Sequence, residues 1–150
     1  MLSTVIAVLG TLLGAVVAGV LQHRTARTTR SEARGDHRRD RELEAITALT
    51  SAVAGHRRAM AVREGLRLSG AKQEDIAAAR AESHATRSTI EAPWVQVSIL
   101  VPSLAAAAEE AVRATLALRG APDQQTLDAL REDALRAADR FVASAAQHFA

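Results

Sequence analysis

The stretch TVIAVLGTLLGAVVAGVL, Thr4 to Leu21, carries no charge, and its only polar side chains are the hydroxyls of Thr4 and Thr11. Eighteen helical residues at ~1.5 Å each span ~27 Å, close to the ~30 Å hydrocarbon core of a bilayer. We read it as a single membrane-spanning helix. The remainder is organised around it, with residues 1–21 as anchor, 22–42 as a basic juxtamembrane neck and 43–150 as a cytoplasmic helical bundle. The expected fold class is all-α: one N-terminal transmembrane helix, then an antiparallel bundle of long helices.

Composition supports helix throughout. Alanine is abundant, the aromatics are Trp94, Phe141 and Phe149, and there is no Tyr. Alternating β-branched runs are almost absent. Cysteine is absent too, which excludes a disulfide framework and thiolate chemistry and fits a reducing compartment. The net charge of +2 hides an asymmetry. Between Gln22 and Arg41 stand seven Arg against Glu32, Asp36 and Asp40, whereas from Glu42 onward acidic side chains outnumber basic ones by two. Positive charge is therefore concentrated just after the apolar run, opposite a flank that is only Met-Leu-Ser. Basic residues within ~15–20 positions of a span stay cytoplasmic, so the expected topology is a single pass in the cell membrane, N-terminus outside and body inside. A cleaved signal peptide is the competing reading, but such peptides carry their charge ahead of the apolar core.

Ala7, Gly10, Gly14 and Ala18 form a small-residue stripe at four-residue spacing, the pattern that lets membrane helices approach closely. A homodimer or higher homo-oligomer packed through these four residues is expected, against the plainer fact that glycine is common in spans. Arg24, Arg27, Arg30, Arg34, Arg38 and Arg41 recur at intervals of three and four, which lines one helix face. Contact with anionic lipid is the first reading of this neck. A non-specific nucleic-acid phosphate track is a second, without aromatic side chains for base stacking. A flexible linker is a third, since Gly35 and the Thr28-Thr29 pair are poor helix formers.

In the body, Leu43, Ile46, Leu49, Val53, Met60 and Leu66 mark an apolar face, with His56 on the same stripe and a stop at Ser69-Gly70. A second helix begins near Lys72 with Glu74 and Asp75 in its first turn. Its face is Ile76, Ala79, Ser83, Ile90, Trp94 and Val97. We expect Pro93 to kink this helix rather than start a new one. WVQVSILV could alternatively form a strand, but it has no partner. Pro102 ends the segment and Ser103 is the expected cap of a third helix, with Leu104, Ala108, Ala111, Thr115 and Leu118 inward. Gly120 closes it, Asp123 caps the last helix, and Leu127, Leu130, Ala134, Ala138, Phe141, Ala145 and Phe149 form its seam.

No phosphate loop, dinucleotide fingerprint, nucleophile elbow or HExxH is present. The five histidines lie far apart in sequence, and His56 with His84 is the one pair that could meet between helices. Glu109-Glu110 with Arg113 reads as a solvated face, not an acid/base dyad. The expectation is a non-enzymatic protein without catalytic residues, metal or cofactor.

The run HRRAMAVREGLRLSGA (His56 to Ala71), ESHATRSTIEAP (Glu82 to Pro93) and the opening IAVLGTLLGA together resemble small actinomycete proteins of the KilB family, over most of the chain. The resemblance implies a membrane-associated accessory of conjugative plasmids in mycelial bacteria, which helps plasmid DNA spread between cells and is lethal when expressed without its repressor. That family has no catalytic residues to carry over, so His56, Arg57, Arg58 and Trp94 are candidate docking positions only. Other plasmid-transfer membrane proteins are the partners it suggests. A membrane-active toxin or holin-like protein and a tether contacting DNA phosphate through the neck are the alternatives.

Overall fold

The computed structural model describes the backbone from Leu2 and the side chains from Gly35 onward. The helices are α1 (Leu2–Leu68), α2 (Gln73–Ser88), α3 (Glu91–Leu100), α4 (Ala105–Leu116) and α5 (Gln124–Phe149), with a 3-10 turn at Pro102–Leu104. No strand occurs among the described residues, and WVQVSILV is helix up to Leu100. The chain forms two compact units, Met1–Asp40 and Arg41–Ala150, and the division falls inside the expected neck. In the first unit, Ala7, Gly10, Gly14, Ala18, Arg24, Arg27, Arg30 and Arg34 lie outside the residues whose side chains are described. Arg38 is an exposed residue of that unit, and Arg41, exposed as well, opens the second. Among the described residues no single helix is long and apolar enough to cross a membrane.

The second unit is a helical bundle with two apolar clusters. One gathers Ala45, Ile46, Leu49 and Val53 of α1 with Val97, Leu104, Ala108, Ala111, Phe141 and Ala145. The other joins Met60 of α1 to Leu118, Ala121, Leu127 and Ala134. Residues 45–53 of α1 thus pack on the end of α5, and Met60 near the end of α1 on the start of α5, an antiparallel arrangement. Alanines on both α4 and α5 bring these two helices close. All five expected inward positions of the third helix, Leu104 to Leu118, are buried.

The seam of α1 departs from the expected one. Leu43 is 55% exposed, whereas Glu42 is buried. A six-residue step from Leu43 to Leu49 turns a helix by about 120° away from the starting face, while seven residues return within about 20°. Glu42, Leu49 and His56 therefore share a line. The same six-residue step takes Leu66 off Met60, and Glu64 is buried instead. In α5 the buried alanine is Ala137 where Ala138 was expected, and Phe149 is 40% exposed, packed edge-on against His148.

Among the described residues the buried carboxylates are Glu42 and Glu64, and each is held by a basic side chain. Glu64 receives Arg67 Nε at 2.7 Å and lies 3.7 Å from Arg63 Nε. Arg67 also donates to the Ala121 carbonyl, which ties α1 to the turn before α5. At the opposite end His148 Nε2 lies 3.2 Å from Glu42 Oε2. No described buried side-chain N or O atom lacks a hydrogen-bond partner.

Pro93 begins a helix rather than kinking one. It has no N–H for the Thr89 carbonyl, so α2 stops at Ser88 and α3 restarts with Pro93 in its first turn, where no intrahelical donor is needed. The Ser88 and Thr89 hydroxyls donate to the Ala85 and Thr86 carbonyls at this break. Ser103 does not cap α4; it lies inside the 3-10 turn, and the residue preceding α4 is the buried Leu104. A cap needs extended backbone, which a residue wound into that turn does not have. Asp123 does cap α5, its Oδ1 accepting from Thr126 N at 2.7 Å. Gly70 and Gly120 take φ of 65° and 77°, the left-handed conformation that ends helices.

Candidate functional site

A groove opens where the break between α2 and α3 faces α4. It encloses about 470 Å³ and is lined by His84, Arg87, Ser88, Ile90, Glu91, Trp94, Val112 and Leu116. Ile90 is the buried floor, Trp94 is half-buried, and Glu91 is the one carboxylate of the lining. Against this groove lies a recess of about 30 Å³, lined by His56, Met60, Arg63, Ser83, His84, Arg87, Leu116 and Arg119. Three arginines from α1, α2 and the turn after α4 meet there.

His56 is 2% exposed and its Nδ1 lies 3.0 Å from Thr86 Oγ1. The Thr86 hydroxyl donates to the Glu82 carbonyl at 3.0 Å, so its oxygen accepts from His56 and the imidazole carries its proton on Nδ1. Burial first, then the charges of Arg87 and Arg63, hold the His56 pKa below the ordinary imidazole value. The ring is therefore neutral at pH 7, and three arginines bring positive charge to the recess. Arg63 Nη1 donates to Ser83 Oγ at 3.3 Å, which in turn donates to the Arg80 carbonyl.

Two of the four expected docking residues line adjoining concavities and two do not. His56 lies inside the bundle at the recess, and Trp94 lines the groove. Arg57 is half-buried within electrostatic reach of Asp139 and Arg131 on α5, and Arg58 is exposed. His56 and His84 do line one recess, but the partner of His56 is Thr86, and among the described residues no group of three His, Asp or Glu side chains could hold a metal ion. Arg63, Arg87 and Arg119 were not foreseen. Nothing in their spacing signals convergence, because the packing of α1, α2 and the turn after α4 creates it. Glu109 and Arg113 form the expected exposed i,i+4 pair at 3.5 Å, while Glu110 reaches across to Arg140 of α5 at 2.6 Å.

The KilB plasmid transfer protein family matches residues 43–149, which is the whole bundle including both concavities. Protein KilB of Streptomyces lividans is 55% identical over 149 residues, covering 99% of this chain and 99% of that protein. No solved structure matches the chain. The all-helical bundle, the match along its full length and this relative agree with the likeness carried by His56–Ala71 and Glu82–Pro93, and the chain belongs to the KilB plasmid transfer protein family.

Proposed function

We propose that the protein is a membrane-anchored, non-enzymatic interaction protein, an accessory in the spread of conjugative plasmids between cells. Family membership supports the plasmid role. The observation that carries the anchoring is the uncharged Thr4–Leu21 run with arginines following it. In this reading the N-terminus lies outside, and Ala7, Gly10, Gly14 and Ala18 pack two or more copies together. Arg24, Arg27, Arg30, Arg34, Arg38 and Arg41 hold the inner leaflet, each contributing about 1 kcal/mol close to an anionic surface. The bundle is the part that meets other transfer proteins.

The test separates location from role. The full chain should resist alkaline extraction from membranes, and a chain lacking residues 1–21 should be released, remain folded by circular dichroism and fail to support plasmid spread. A truncated chain that restores spread fully would overturn the anchoring. Gly14→Ile should weaken self-association in the membrane, read by crosslinking, without releasing the protein.

A further inference from the structure

The groove and the recess share His84, Arg87 and Leu116, so they are two parts of one concavity. Three arginines line the recess, Arg63 from α1, Arg87 from α2 and Arg119 from the turn after α4, beside His56 and His84. Arg63 has Glu64 at 3.7 Å and Ser83 at 3.3 Å. For Arg87 and Arg119 no carboxylate lies within ion-pair distance among the described residues. Like charges gathered on one small surface repel, and an anion placed among them removes that cost while gaining charge-assisted hydrogen bonds. The sizes divide the labour. A recess of about 30 Å³ takes one or two waters or a ligand oxygen. The groove of about 470 Å³ falls in the range of small-ligand sites, roughly 300–1,000 Å³. Its floor is apolar, with Ile90, Val112 and Leu116 beside Trp94.

We propose that this concavity binds a phosphate monoester of an apolar or aromatic group, its phosphoryl oxygens at the mouth of the recess between Arg87 and Arg119 and its body along Trp94. Guanidinium suits phosphate because its donors are planar and paired. Either a soluble ester or an anionic lipid headgroup has this chemistry. The inference goes beyond the anchored-accessory reading and does not require it.

The test uses the full chain in a neutral maltoside detergent, with calorimetry and the emission of Trp94, the one tryptophan. Phenyl phosphate should bind at least about 10-fold tighter than inorganic phosphate or phenol alone, because each of these offers half of the contact. The double variant R87Q/R119Q should lose about 10-fold or more, in line with two charge-assisted bonds. R80Q, an exposed arginine of α2 outside the lining, should leave the affinity unchanged. Dihexanoyl phosphatidic acid distinguishes the sources: tighter binding than phenyl phosphate, lost in R87Q/R119Q, identifies a lipid, and the reverse order a soluble ester. Equal affinity for phenyl phosphate and phosphate, or an equal loss in R80Q and R87Q/R119Q, would overturn the proposal. Thermal melts of each variant show that the bundle is intact. A failure here leaves the extraction and plasmid-spread results untouched, and the converse holds.

Discussion

Leu43 and Leu49 both belong to the apolar face expected from sequence, yet the folded chain buries one and exposes the other, and that difference has a measurable cost. Leu49 is 0% exposed and sits in the first apolar cluster between α1, α4 and α5. Leu49→Ala removes three carbons, about 2.4 kcal/mol of transfer free energy at ~0.8 kcal/mol per methylene. The cavity left behind adds to this, because neighbours relax only partly, giving roughly 3 kcal/mol in all within the ~2–5 kcal/mol range of such changes. Leu43 is 55% exposed and belongs to neither cluster. Less than half of the same transfer energy is at stake there, about 1 kcal/mol at most. Urea unfolding followed by Trp94 emission reads the contrast. With a slope of about 2 kcal/mol per molar, Leu49→Ala should lower the midpoint by ~1.5 M and Leu43→Ala by ~0.5 M or less. Equal losses in the two variants would mean that the seam runs through Leu43. The placement of Glu42, His56 and Glu64 on the buried line would then be wrong as well.

The remaining predictions concern the polar and backbone details. Arg67→Ala removes the closest partner of Glu64, which is 1% exposed, and leaves Arg63 at 3.7 Å; a loss of about 2–3 kcal/mol is expected in urea, with Glu64→Gln/Arg67→Ala less damaging than Arg67→Ala alone. The depressed pKa of His56 makes the unfolded chain the better proton acceptor, so stability should fall as pH drops below about 6.5 and continue to fall until the folded imidazole itself is protonated. His56→Gln should flatten that part of a stability-against-pH profile, and an unchanged slope would dismiss the buried neutral ring. An added Cβ at Gly55 or Gly65 meets nothing within 4 Å, so alanine there should stabilise the fold by ~0.5–1 kcal/mol each, read as a higher melting point. Alanine at Gly120, with φ of 77°, should instead cost roughly 1–2 kcal/mol through left-handed backbone strain.

What could be read from the amino-acid order is what local physics decides. Helical periodicity and the near-absence of alternation specify an all-α body. Gly70 and Gly120 end helices because they tolerate positive φ, and Asp123 starts one because its carboxylate reaches the free N–H two to three residues on. The inward line from Leu104 to Leu118 was legible because Leu104, Ala108, Ala111 and Leu118 recur at helical spacing on the face opposite Glu109, Glu110 and Arg113. The seam of α1 was not, since Leu43 and Leu66 are as apolar as the true core residues, and only the packing of α4 and α5 selects Glu42 and Glu64 over them. Pro93 illustrates the same limit. Its missing N–H is compatible with a kink or a fresh start, and burial of Ile90 at the break chooses between them. The concavity depended on tertiary structure entirely. Arg63, Arg87 and Arg119 are ordinary members of an arginine-rich sequence until α1, α2 and the turn after α4 bring them to one recess. Sequence patterns record what each residue does to its own helix. Convergence between residues dozens of positions apart is a property of the fold, because no spacing along the chain encodes which faces meet.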